Sequence, residues 1–209
     1  MDDTALGITD ERRTTPVELL WDLVFVFAIT QVTTLLGRNL TWGGFGQAML
    51  VLALVWWAWS AYVWAANAQP ADSASLRACL LISSVSIFIT GLSIPHAFGS
   101  EATLFAVSYS IVRFLHLALY ADASRKGNAK WSAIAGFAVT VTIGMALLIA
   151  GSFATGTARI VLWVLAAVID YAGPLANEPA ISSAIPIITV KAKPPIADHF
   201  ALPLRDASA

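Results

Sequence analysis

Five ionisable residues stand inside stretches that are otherwise apolar: Glu18, Asp22, Arg113, His116 and Asp170. A charge buried in hydrocarbon costs at least about 2.5–3.5 kcal/mol, so such groups pair with one another, line water or act on something. Glu18 and Asp22 are spaced i, i+4 and share a helix face; Arg113 and His116, at i, i+3, share another. Acids on two segments and bases on a third could bind or pass a small ion or solute. Asp22 is then the principal site, Arg113 its counter-charge, and His116 a proton-responsive group, because histidine titrates near neutral pH. No metal is expected, since His116 has no second His or Cys at ligand spacing on its segment. A lone histidine is also too little for a haem. There is no phosphate-cradling glycine loop, nucleophile elbow or metalloprotease histidine pair, so neither enzyme activity nor a cofactor is expected. An intramembrane lipid enzyme using His116 and Asp170 as acid and base lacks a nucleophile or metal set.

The elements that hold these residues follow from composition. Of 209 residues, 58% are hydrophobic and only 12% charged. An average soluble domain carries roughly 25% charge, so this chain has too much apolar side chain to hide in one soluble core. Disorder is excluded for the same reason. A net charge of −1 offers no field to hold nucleic acid. The single Cys79 cannot form an internal disulfide.

Six apolar runs, 17–37, 45–66, 76–95, 102–121, 133–154 and 158–175, are each near the length of about 20 residues that a helix needs to cross a bilayer. They are apolar all round rather than alternating, which favours helices over membrane strands. The expected fold is therefore an all-α, polytopic transmembrane helix bundle of about six spans. Residues 1–16 form a polar N-terminal tail without the pattern of a secretory signal. Residues 17–175 form the transmembrane domain, and residues 176–209 an irregular, proline-rich tail. With the N-terminus inside, nine Lys and Arg fall on the cytoplasmic side, and only Arg38 and Arg159 outside. The bias predicts both termini in the cytoplasm. Trp42 and Trp131 suit the two interfaces as anchors.

Depth then groups the charges. At 1.5 Å per residue Asp22 lies about 8 Å from the inner edge, Arg113 about 12 Å, and His116 and Asp170 about 8 Å. The spacing predicts one buried polar cluster, with Asp22 and Asp170 facing Arg113 and His116. Tyr109, Tyr120 and Tyr171 are its expected hydrogen-bond partners, and Gln31 and Trp57 its supporting polar and aromatic side chains. Helix one is the best pathway element, because Thr30, Gln31, Thr33 and Thr34 continue its polar character outward. Each feature also has a bland reading. Glu18 can be hydrated at the interface, Arg113 can snorkel to headgroups, the tryptophans of helix two can simply pack, and Gly136, Thr140 and Gly144 form a small-residue packing stripe.

Several segments carry a resemblance. Val17-Glu18-Leu19-Leu20-Trp21-Asp22-Leu23-Val24-Phe25-Val26-Phe27-Ala28 resembles the first-helix signature of the bacterial low temperature requirement A proteins, with Leu20-Trp21 where that signature has two Phe. Trp56-Trp57-Ala58-Trp59 through Trp64 and Asn67, Pro95 to Gly99, Val112 to Tyr120, and Ile169-Asp170-Tyr171-Ala172-Gly173-Pro174 are also similar. Together they cover about 14–175. The resemblance implies a multi-pass protein of the bacterial cytoplasmic (inner) membrane, and adds weight to the five charged positions. It implies no settled biochemical activity. Members continue beyond the Asp-Tyr-x-Gly-Pro segment into His-Phe-x-Glu-Arg and further spans. Here His199-Phe200 is followed by Ala201-Leu202-Pro203, so the chain looks like the first half of a member with an altered tail. Helix one alone is also similar to the start of lysosomal-type potassium channels, with Trp21 in place of a Ser, a hint toward ion permeation.

The sequence thus supports a membrane protein that binds or passes a small ion or solute through the polar cluster. Its partners are the lipid bilayer, that solute and further copies of the chain in a homo-oligomer. The competing reading is a non-catalytic membrane stress or assembly factor, in which the cluster only fixes helix packing.

Overall fold

The computed structural model describes residues 15–67, 73–126 and 131–176. These form six helices and no strand: α1 (Pro16–Arg38), α2 (Trp42–Asn67), α3 (Ala74–Ser93), α4 (Ala102–Lys126), α5 (Trp131–Phe153) and α6 (Gly156–Ala176). A single 3₁₀ turn, Ile94–His96, joins α3 to α4. All six helices are long and apolar enough to cross a membrane. The expected all-α bundle of six spans is what the described residues form. The polar N-terminal residues 1–14 and the proline-rich tail from 177 onward lie outside the described residues.

Local chemistry sets the helix ends. Thr15 caps α1: its side chain accepts from the Glu18 amide at 3.3 Å, and Glu18 Oε2 accepts from the Thr15 amide at 2.8 Å. This reciprocal capping box satisfies two amides that the first helical turn leaves without intrahelical partners. Pro16 at the first position costs nothing there, since its missing N–H would have had no partner. Between α5 and α6 the chain turns on Gly156, whose φ of +59° suits a residue without Cβ. Arg159, buried just inside α6, donates to the carbonyls of Ala154, Ser152 and Gly99. Its charge is spent closing the C-terminal end of α5.

Packing is built on small residues. α5 and α6 run antiparallel in close contact: Thr140 lies against Gly173, Gly144 against Ala166 and Asp170, and Gly151 against Trp163. A Cβ on Gly151 would come within 2.5 Å of the Trp163 ring. Gly91 of α3 faces Phe27 and Ala28 of α1 in the same way. Between helices in lipid there is little hydrophobic drive, so this close approach and the van der Waals contact it permits do the work. α3 sits between α1 and α4, α4 also packs on α5, and α2 touches α1, α4 and α6. The central position of α2 is what allows it to reach the charged residues of both α4 and α6.

Candidate functional site

Arg113 of α4 and Asp170 of α6 meet in the interior, both at 0% exposure, with Arg113 Nη2 donating to Asp170 Oδ1 at 2.6 Å. His116, one turn along α4, stands with Nδ1 3.4 Å from Arg113 Nη1. Arginine can only donate, so Nδ1 is the acceptor and the neutral ring keeps its proton on Nε2. The sequence placed these three residues at similar depth, and the fold brings them together.

α2 supplies the cover. Trp57 lies over the guanidinium, with 5.9 Å between Arg113 Cζ and the ring centroid, and stacks on Tyr171 at 4.3 Å. Tyr171 donates to the Ala53 carbonyl at 2.7 Å and Tyr109 to the Leu54 carbonyl at 2.8 Å. Those two carbonyls already belong to the α2 ladder; each uses a second lone pair to tie α6 and α4 to α2. Tyr120 is further off, edge-on to Phe137 at 5.3 Å. Arg113 Nε, Asp170 Oδ2 and Trp57 Nε1 are buried without a hydrogen-bond partner.

Asp22 is elsewhere. It projects from the exposed side of α1 and accepts from Trp59 Nε1 at 3.0 Å, so it does not face Arg113. The reason is rotational. Trp21, Phe25, Ala28, Val32 and Leu35 form the buried stripe of α1, and Asp22 lies about 100° round the helix from Trp21. Trp21 occupies the space against Tyr62, ring centroids 4.5 Å apart. The single expected cluster is therefore two groups: a buried Arg113–Asp170–His116 centre and an exposed Asp22–Trp59 pair.

The remaining candidates are placed as follows. Glu18 is a capping residue of α1. Gln31 is half-buried farther along α1, apart from both groups. Thr30, Thr33 and Thr34 are exposed, and their hydroxyls donate to carbonyls of their own helix, Phe27 and Thr30, rather than to neighbouring helices. Among the described residues no group of three or more His, Cys, Asp or Glu could hold a metal.

Tyr62 and a row of buried hydroxyls were not singled out by the sequence. The Tyr62 hydroxyl donates to the Val112 carbonyl at 3.0 Å, so Ser83 must donate to it in turn, and its ring lies 5.5 Å from His116. Thr90 of α3 bonds Ser108 of α4 at 2.8 Å. Ser83, Ser86, Thr90 and Ser93 are buried and recur at intervals of three and four, the signature of one helix face. That spacing was the signal available.

A family model, bacterial low temperature requirement A protein (LtrA), matches residues 13–201. The chain is also similar to an uncharacterised protein of Rhizobium meliloti (strain 1021), with 30% identity over 168 residues, covering 79% of this chain and 41% of that protein. The chain thus spans about two fifths of that curated relative. No solved structure matches.

Proposed function

The chain belongs to the bacterial low temperature requirement A protein family and is a multi-pass membrane protein; from that premise we propose that it binds or passes a small ion or solute at Asp22. One observation carries the reading: Asp22 is an exposed carboxylate about 9 Å into a membrane-spanning helix, held by one neutral donor, Trp59. A side chain that serves only packing would be driven inward or replaced by an apolar one, given the cost of a charge at that depth. The charge of Asp22 favours a cation. The role is non-catalytic, the membrane is the bacterial cytoplasmic one, and both termini lie inside.

The packing reading applies to the other group. Zero exposure of Arg113 and Asp170, with tyrosine ties from α4 and α6 to α2, supports a lock that fixes three helices. In the combined proposal the lock keeps the bundle rigid and Asp22 meets the solute.

Proteoliposomes loaded with a pH dye and given K⁺ or Na⁺ gradients test this. Wild-type protein should raise cation or proton flux above protein-free vesicles, and Asp22→Asn should abolish the gain while keeping its helicity and melting behaviour. No flux above empty vesicles, or undiminished flux in Asp22→Asn, would sink the reading.

A further inference from the structure

The guanidinium edge that carries Nε–H and Nη2–H presents two parallel donors, matched to the two oxygens of a carboxylate. Arg113 and Asp170 make only one of these two bonds directly, Nη2 to Oδ1 at 2.6 Å. The atoms of the second, Arg113 Nε and Asp170 Oδ2, are both buried and both without a partner. They belong to ionised groups at 0% exposure, where an unmet donor or acceptor is most costly. Immobilising one water is cheaper than leaving both atoms unmet.

We propose that a single water molecule is bound between Arg113 Nε and Asp170 Oδ2, accepting from the first and donating to the second. The chemistry of the pair selects this ligand. An anion is repelled by the carboxylate, a cation by the guanidinium, and a purely apolar molecule satisfies neither atom. Water accepts and donates at once, and two to four polar partners are what buried waters ordinarily have. Trp57, whose ring lies over the guanidinium, carries another buried N–H without a partner. The other flank of the guanidinium is already taken, because Nη1 faces His116 Nδ1. The water makes the pair a closed ring of hydrogen bonds, and the inference is independent of any role for Asp22.

A structure of the protein in nanodiscs, at a resolution where ordered waters are visible, tests it directly. A peak about 2.7–3.2 Å from both Arg113 Nε and Asp170 Oδ2 is expected. A direct Nε–Oδ2 bond with no peak overturns the proposal, as does a peak too large for one water, which would indicate a small neutral solute instead. In solution, oxygen-17 relaxation dispersion should count one fewer long-lived water in the Arg113→Met, Asp170→Leu double variant than in the wild type. An unchanged count in the folded double variant overturns it as well. Should that variant not fold, the density at Arg113 and Asp170 in the wild type decides alone.

Discussion

Removing one partner of the buried pair is the sharpest test of the lock. In Asp170→Ala the guanidinium of Arg113 keeps its charge, since arginine does not deprotonate in proteins. It also keeps its place, at 0% exposure beneath Trp57, with only the 3.4 Å contact to His116 left on its Nη groups. Escape to water is closed. Arg113 lies 11 residues from the start of its apolar span and nine from the end at Asp122, about 17 Å and 14 Å along the axis, beyond the reach of a snorkelling side chain. The full penalty for an uncompensated buried charge therefore applies, about 3–5 kcal/mol of stability. Arg113→Met strands the carboxylate in the same way. The double variant Arg113→Met, Asp170→Leu strands nothing, so it should be clearly more stable than either single variant and close to the wild type. Unfolding by sodium dodecyl sulfate in mixed micelles, followed by loss of helicity, measures all four proteins. Single variants costing under about 1 kcal/mol would mean a pair as weak as a surface ion pair. A double variant losing the sum of the two singles would mean no coupling. Either result refutes the lock.

Three further outcomes follow from the same geometry. Tyr62→Phe removes the hydroxyl that Ser83 and the Val112 carbonyl share, and should cost about 1–3 kcal/mol in that unfolding assay; no loss would mean those groups find other partners. Gly91→Val sets a branched side chain where a Cβ alone would lie 2.9 Å from the Phe27 ring and 3.3 Å from the Ala28 backbone. Overpacking of about 1–3 kcal/mol is expected, and an unchanged melting temperature would show that α1 and α3 do not pack this closely. Thr15→Ala should cost about 1 kcal/mol by uncapping α1, whereas Glu18→Gln, which can still serve a capping box, should leave stability and any cation flux intact; loss of flux in Glu18→Gln would return Glu18 to the site.

The fold was legible because its evidence is local. Six runs of bilayer length need no tertiary information, and α1 at Pro16–Arg38 and α4 at Ala102–Lys126 begin within a residue of the expected spans. The glycines of the α5–α6 contact were partly legible. The Gly136, Thr140 and Gly144 stripe pointed to a packing face, and Thr140 and Gly144 lie on it. Gly151 and Gly173 complete the contact from positions that a search for one regular interval does not join. Arg159, taken as a marker of the outer side, is buried; a charged residue beside a turn can be consumed by carbonyls that the turn leaves behind.

The site was legible in depth but not in angle. Span boundaries fix how far a residue lies along the membrane normal, and this put Arg113, His116 and Asp170 correctly within reach of one another. Whether a side chain faces the interior depends on rotation about the helix axis, and α1 gives that rotation little sequence signal. Its exposed side carries Leu19, Leu23 and Val26, as apolar as the buried Trp21, Phe25 and Val32. In water such a helix would betray its inner face by contrast with polar residues; in lipid both faces are apolar and the contrast vanishes. What survives is the polar minority, and here it misleads, because Asp22 is one of the few polar residues of α1 and yet faces outward. The asymmetry bears on function. A charge turned inward is explained by its partners, as Asp170 is by Arg113. A charge turned outward at membrane depth, with one indole N–H for company, is not explained by its partners among the described residues, and under the proposed function Asp22 is where the solute should be sought.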